Sequence, residues 1–271
     1  MSEAIRLLSQ PHRLLGGGTY LVRRQKAQRN ERMLDLSALG LNYLIEDAVS
    51  VRCGATTTLQ ELIDSSLISK CFGQVLIEAA RLTRPSWMLR NMSTVGGELV
   101  ERARHSALAA AMLSLDAEVT VASSQGERRF TLNEFYGERS AQTTAPFIVK
   151  EVSLPKMGES ARSSFRHLAQ LPSQEPIAVA AVSLQMGGKM IRRARVALAS
   201  AVSEPQRLYD FEQALTARSA ELNENAWRDL CETSLRGVEF ASDHQRSAVY
   251  LREMSEVLLR RTCLGLLQSN G

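Results

Sequence analysis

Leu15-Gly16-Gly17-Gly18-Thr19-Tyr20-Leu21 and Arg90-Asn91-Met92-Ser93-Thr94-Val95-Gly96-Gly97 are the two stretches on which the reading of this chain turns. The first follows a brief strand, His12 to Leu15. The second follows a helix over Gln74 to Leu82 that stops at Arg84-Pro85. Glycines after a strand let the backbone approach an anion closely and aim successive N–H groups into one concavity, which suits a diphosphate. Taken alone, Gly16-Gly17-Gly18-Thr19 reads as readily as an ordinary turn. Two such stretches on one chain suggest a single ligand held between them without a side-chain cation. Neither is a GxGxxG fingerprint followed by its ribose acid, and no Gly-Lys-Ser/Thr occurs, so Rossmann and P-loop functions are disfavoured.

Working outward, Glu3 to Ser9 reads as a short helix, and Met33–Leu36, Tyr43–Ile45 and Val49–Cys53 read as short strands. Thr58 and Glu61 have capping-box spacing at the start of a helix running from Leu59 to about Ile68. Ala107–Leu115 is helical by composition. Glu118–Ala122 and Arg128–Phe130 form a hairpin, and Phe147–Leu154 is a strand. Pro155 to Ser164, rich in Gly, Ser, Pro and charge, reads as a boundary. Beyond it, strands Ile177–Met186 and Met190–Ala199 flank Gly187-Gly188, and helices follow near Leu208–Ala217, Glu221–Leu235 and His244–Leu267. Both halves are α+β. Trp87 reads as a core aromatic at a helix end. Val249, Leu251, Met254, Val257, Leu258 and Leu264 read as the core face of the last helix, with Arg246, Arg252, Arg260 and Arg261 on a basic face.

The chain's 271 residues, 44% hydrophobic and 23% charged, suit one body of two or three subdomains with a packed core. No apolar run reaches the length of a membrane span. The opening MSEAIRLLSQPHRLL has no secretory pattern, so the cytoplasm is the expected compartment. The net charge of +4 is spread along the chain. Its nearest cluster, Arg23, Arg24, Lys26 and Arg29, has no interleaved aromatics to stack bases, which argues against nucleic acid as a partner. Cys53, Cys71, Cys231 and Cys263 lie too far apart in sequence for a CxxC-type pair, so neither an iron–sulfur cluster nor a structural zinc is expected in this chain. His105 and His167 show no partner carboxylate or nucleophile in the sequence, and no catalytic residue is assigned.

In their order and wording the two glycine stretches resemble the flavin loops of the FAD-binding (medium) subunits of molybdenum hydroxylases, the xanthine dehydrogenase and carbon monoxide dehydrogenase family. The family writes these loops LAGGTDL and RNxxTIGGN. Leu115-Asp116-Ala117, Phe165-Arg166, Ala194–Leu198 and Asp243–Tyr250 resemble later family signatures in the same order. The likeness runs through nearly the whole chain. It implies an α+β fold with a two-lobed, PCMH-like FAD-binding domain at 1–157 (lobes about 1–52 and 53–157). A smaller α/β C-terminal domain of the CO dehydrogenase flavoprotein type would follow at 162–268. It further implies that Leu15, Gly16, Gly17, Gly18, Thr19 and Tyr20 wrap the diphosphate together with Thr94, Val95, Gly96 and Gly97. Asn91 would support the second loop, and Arg166 would approach the isoalloxazine end.

The implied partners are a molybdopterin-binding large subunit, a small subunit with [2Fe–2S] clusters, and NAD or another electron acceptor. The molybdopterin and the clusters would sit in those partners, not in this chain. Three departures mark a divergent branch: Tyr20 where the family has Asp, Glu98 where it has Asn, and Ala107 where many relatives have the Asp of SDLxP. Two other readings stay open at this stage. One is a flavin-free assembly subunit of the same complex, and the other is a stand-alone flavin oxidase.

Overall fold

A computed structural model describes residues 1–268 apart from 11, 25–31, 102, 142–145, 172–173, 217 and 219–222. In chain order the first part runs α1 (Ser2–Leu7), β1 (His12–Leu15), α2 (Thr19–Arg24), β2 (Arg32–Asp35), β3 (Leu44–Glu46) and β4 (Ser50–Gly54). Helices α3 (Leu59–Asp64), α4 (Ser66–Phe72), α5 (Val75–Thr83), α6 (Trp87–Met92), α7 (Val95–Glu101) and α8 (Ala107–Ser114) follow. Next come β5 (Glu118–Ser123), β6 (Gly126–Thr131), α9 (Leu132–Ala141) and β7 (Phe147–Pro155). The remainder is β8 (Ala161–Leu168), β9 (Ala178–Gly187), β10 (Met190–Ala199), β11 (Gln206–Arg207), α10 (Tyr209–Leu215), α11 (Glu224–Ser234) and α12 (Ala248–Gln268).

Three sheets organise these elements. β1 and β2 pair in parallel, with Leu14 opposite Leu34. A five-stranded antiparallel sheet has the order β3-β4-β7-β5-β6, and a four-stranded antiparallel sheet has the order β11-β10-β9-β8. The helix expected over Leu59–Ile68 is interrupted. Ser65 adopts an extended conformation and its hydroxyl accepts from Ile68 N–H, so it ends α3 and caps α4. The capping box of Thr58 and Glu61 closes on α3, with Thr58 N–H donating to the Glu61 carboxylate at 2.8 Å and Glu61 N–H to the Thr58 hydroxyl at 3.2 Å. Within the segment Pro155–Ser164, β8 begins at Ala161 and pairs with β9 of the second half.

Helix α8 joins the two halves. Its sequence, ALAAAMLS, is apolar nearly all round and every residue is buried, the pattern of a helix covered on all sides. Alternate residues of the four-stranded sheet explain the cover. Val179, Ala181, Ala197 and Ala199 join α8 in the larger core, while Ala180, Val182, Val196 and Leu198 face the second core formed with α10, α11 and α12. The alanines at the α8 contact allow helix and sheet to approach closely.

Charge reinforces the same seam. Asp116, just after α8, holds a left-handed backbone (φ 55°) and gathers three arginines of the second sheet. Arg207 reaches it at 2.5 Å, Arg193 at 3.3 Å, and Arg195 bonds it closely as well. Arg207 also pairs with the buried Glu212 at 2.6 Å, and Glu212 accepts the Val196 N–H at 2.9 Å. Arg104 crosses the seam to the carbonyls of Ser200 and Ala241 at 2.5 and 2.7 Å.

The last helix corrects one expectation. Leu251, Ser255, Leu258, Leu259, Thr262, Cys263 and Leu266 form its buried face, whereas Val249 and Val257 turn outward, being two residues from 251 and 259 and so more than half a turn away. Trp87 is likewise not a core residue: it is 66% exposed on α6. The cluster Arg23, Arg24, Lys26 and Arg29 lies outside the residues whose side chains are described.

Asp116→Asn keeps a side chain that tolerates the left-handed backbone but removes the charge. It is expected to lower stability by about 1–3 kcal/mol, since charged hydrogen bonds at a half-buried site are lost. Denaturant unfolding should show the loss, and 1 M salt should narrow the gap between variant and parent.

Candidate functional site

The two glycine stretches meet. If Gly17 carried a Cβ, it would lie 1.4 Å from the Met92 carbonyl oxygen, and at Gly16 the corresponding atom would lie 2.9 Å from Thr94 Oγ1. Only bare backbone fits where the first loop crosses the second. Gly18 completes the turn with φ +74°, a conformation open to glycine at little cost. Side chains fasten the contact. The Ser93 hydroxyl donates to Thr19 Oγ1 at 3.2 Å, and Leu36 N–H donates to the Leu15 carbonyl at 2.9 Å.

The second stretch is not wholly a loop. Val95, Gly96 and Gly97 form the first turn of α7, and that turn is set against the segment after β4. Val95 N–H donates to Thr57 O and Gly96 N–H to Ala55 O, both at 2.9 Å, while Leu59 N–H donates to Ser93 O at 3.0 Å. A Cβ on Gly96 would sit 2.8 Å from the Ala55 Cβ, so α7 is pressed onto Ala55. Gly97 N–H donates to the Thr94 hydroxyl oxygen at 3.2 Å.

Between these loops opens a cleft of about 1020 Å³. Of the sequence-predicted residues, Gly16, Gly17, Gly18, Thr19, Tyr20, Thr94, Gly96 and Gly97 line it. Leu15, Asn91 and Val95 stand behind. Leu15 ends β1, Val95 is fully buried, and Asn91 donates from Nδ2 to the Trp87 carbonyl at 2.9 Å, bracing α6. The structure does not bring Arg166 to the cleft. It lies on β8 with its guanidinium against Gly265 of α12, where a Cβ on that glycine would approach Nη2 to 3.1 Å.

Several lining residues were not foreseen. Leu8, His12 and Arg13 come from the N-terminal region, Ala55 and Thr56 from the turn after β4, and Phe147 and Val149 from β7. Ser203 and Glu204 come from the second half of the chain. The run of small residues after β4, Gly54-Ala55-Thr56-Thr57, is the one sequence signal that could have marked this third wall.

Glu98 and Glu101 also line the cleft and share one arginine. Arg84 gives Nε to Glu98 Oε1 at 2.6 Å and Nη2 to Glu101 Oε2 at 2.9 Å. Glu98 is 2% exposed, and its second oxygen, Oε2, has no hydrogen-bond partner among the described residues. Burial pushes its carboxyl up to about 7; the Arg84 charge opposes this and the Glu101 charge adds to it. Desolvation prevails despite the short arginine contact because Arg84 is divided between two acids. Thus the glutamate after the glycine pair is folded into the wall as part of a paired cluster. Ala107, at the other departure, is fully buried at the head of α8, and the preceding Ser106 spends its hydroxyl on capping that helix, accepting from Ala109 N–H at 3.3 Å.

A cleft walled by two bare-backbone turns, with the buried and unpartnered Thr56 Oγ1 in its lining, fits an extended nucleotide cofactor whose diphosphate is held mainly by main-chain N–H groups. Among the described residues no group of three or more His, Cys, Asp or Glu is placed to hold a metal ion, and no helix is long and apolar enough to cross a membrane. Fold and site together define a protein that holds an extended nucleotide cofactor between two glycine loops.

The chain belongs to the family described as the FAD binding domain in molybdopterin dehydrogenase, which matches residues 1–157, and residues 164–266 match the CO dehydrogenase flavoprotein C-terminal domain. The glyceraldehyde dehydrogenase medium chain of Sulfolobus acidocaldarius is 22% identical over 264 residues, covering 95% of this chain and 92% of that one. The 6-hydroxypseudooxynicotine dehydrogenase complex subunit alpha of Paenarthrobacter nicotinovorans is 25% identical, with 97% and 90% covered. Among solved structures, the reconstituted CO dehydrogenase from Oligotropha carboxidovorans contains a chain that superposes with a TM-score of 0.87 at 22% identity, covering 100% of this chain and 95% of its own. The cofactor of the family is FAD, and this chain is its FAD-binding subunit.

Two outcomes follow from the geometry. Gly17→Ala forces the loops apart and is expected to weaken FAD binding by about tenfold or more, equivalent to at least 1.4 kcal/mol, while Gly237→Ala, at an open position of ordinary backbone conformation, leaves affinity unchanged. Titration of flavin fluorescence measures both. For Glu98, the folded value of about 7 lies above the ordinary 4.5. The stability it contributes is therefore complete below pH about 4.5 and is lost as pH rises through about 7. The parent's Tm should fall between pH 5 and pH 8 relative to that of Glu98→Gln, by differential scanning fluorimetry of the flavin-free chain.

Proposed function

We propose that this chain holds FAD as the electron-transfer subunit of a molybdopterin-dependent hydroxylase or dehydrogenase. It receives electrons from iron–sulfur clusters of a partner and passes them through the flavin to NAD or another acceptor. The observation that carries the reading is the meeting of the two glycine loops over one cleft. The names of the relatives, a dehydrogenase medium chain and a subunit of a dehydrogenase complex, support a partner-dependent role.

In this reading Gly16, Gly17, Gly18, Thr19 and Tyr20 face Thr94, Gly96 and Gly97 across the diphosphate. Leu15, Asn91 and Val95 hold the loops in position. When bound, FAD would supply one- and two-electron redox chemistry. The chain's own contribution is to orient the flavin, to surround its anionic centre with main-chain dipoles, and to exclude water with Leu8, Phe147 and Val149. Ser203 and Glu204 bring the C-terminal part to the cleft's edge. The division we propose is a FAD-binding domain at 1–157 and a C-terminal domain at 162–268. Within the first domain the lobes we propose are about 1–52 and 53–157, with β4 at their junction. The partners are a molybdopterin-binding large subunit and a [2Fe–2S] small subunit, in the cytoplasm.

The test is spectroscopic. The purified chain, reconstituted with excess FAD and desalted, should keep a visible flavin spectrum at close to one flavin per chain. The complex copurified through a tag on this chain should contain iron and molybdenum as well, and organic substrate should bleach the flavin only in that complex. A colourless desalted chain would point to a flavin-free assembly subunit, and substrate oxidation by the lone chain would point to a self-sufficient oxidase.

A further inference from the structure

Glu98 stands in the cleft wall beside the two loops proposed to hold the diphosphate, and it is the one lining acid with an idle oxygen shut away from water. Oε1 is taken by Arg84 at 2.6 Å, while Oε2 is buried and has no partner among the described residues. Among the described residues three groups bear on it. Arg84, at the end of α5, also serves Glu101 on α7. The Ser93 hydroxyl, which donates to Thr19, also lies beside the Glu98 carboxylate and favours its charged form. Across the same cleft lie His12 and Arg13 of β1 and Glu204 of the second half.

With both glutamates ionised, the Arg84 cluster carries one net negative charge next to a site for an anion. With Glu98 neutral, the cluster is balanced and Oε2 becomes a hydroxyl donor instead of another acceptor.

We propose that Glu98 accompanies the bound flavin cofactor in its carboxylic-acid form, taking one proton from solvent as the anionic diphosphate enters the cleft. The step is a single protonation: the proton leaves hydronium or buffer acid and ends on the carboxyl, and no other bond changes. The premise is that FAD occupies this cleft. Burial has already moved this carboxyl into the neutral range, so a second anion nearby needs to shift it only a little further. Glutamate here then does what an amide would do, at the cost of pH sensitivity. FAD affinity should be greatest below neutrality and decline as the free chain's carboxyl ionises.

FAD binding to the full chain is titrated by flavin fluorescence from pH 6 to pH 9, for the parent and Glu98→Gln. The expected parent affinity falls by about tenfold or more over that range, approaching tenfold per pH unit at its steepest, while the Gln variant's profile is nearly flat. Any contribution of His12 persists in both proteins and cancels in the comparison. Calorimetry of the parent at pH 7.5 in two buffers of different ionisation enthalpy should register uptake approaching one proton per FAD, so the proposal stands or falls even if the variant does not fold. Parallel pH profiles, or binding without proton uptake, would overturn the role of Glu98 and leave the flavin reading intact. No FAD binding by the parent at any pH would overturn both.

Discussion

The crossing of Gly17 over the Met92 carbonyl is the contact on which the rest of the site depends. Two backbone segments separated by some seventy residues touch with no side chain between them, which fixes the first loop's height above α6 and α7. Because the contact is backbone on backbone, the N–H groups of both turns are held in place before any ligand arrives. Little ordering is then left to be done on binding, which is where pre-organised sites gain affinity. The hydroxyl bond between Ser93 and Thr19 and the brace from Asn91 to Trp87 act on either side of the crossing and resist the same displacement.

The crossing stays put because α7 is pressed on Ala55 and α8 is packed between the four-stranded sheet and α5. Eight buried residues, four of them alanine, let α8 lie against β9 and β10 on one side and against the larger core on the other. Asp116 and its three arginines then lock the end of that helix to the second sheet. The same second half supplies Ser203 and Glu204 to the cleft, so its position bears on the site as well as on stability. The arginines on and just before α12, which read as a basic face, are largely paired within the chain. Arg252 pairs with Glu256, Arg260 with Glu224, and Arg246 with Asp243.

Much of this was legible in the sequence, and the reasons differ by element. β9 was clear from its near-continuous apolar run and β10 from the tight Gly187-Gly188 turn before it and the apolar stretch Val196–Ala199 that ends it, and α8 was clear because its composition is helical and almost wholly apolar. Helix α6 and the helical start of α7 were hidden. Gly96 and Gly97 argue locally for a loop, and only the press of Ala55 accounts for two glycines in a first helical turn. β8 was hidden by polar neighbours, since just Phe165 of its eight residues is fully buried. The cleft's third wall, around Thr56, and its closing edge, at Ser203, come from places where no motif marks them, because their part in the site is set by tertiary packing alone. Arg166 shows the converse: a residue pair that resembles a family signature is carried by the fold to α12, away from the cleft lining.

The departures from the family's wording have different physical consequences. Where an aspartate would stand at 107, alanine begins a helix with no room for a carboxylate, since that position is fully buried between α8's neighbours. Its absence follows from packing. Tyr20 keeps a place in the cleft lining and exchanges a charge for an aromatic surface, which suits a site whose anion is held by backbone groups. Glu98 is different again, because it sets a carboxylate in the cleft wall with Arg84 held against it. That arginine is spread over two acids and so neutralises neither fully, which leaves the cleft wall poised between a balanced and a negative state. A wall of fixed charge would have bound an anion with one affinity at every pH, whereas this one couples what it binds to the proton concentration around it.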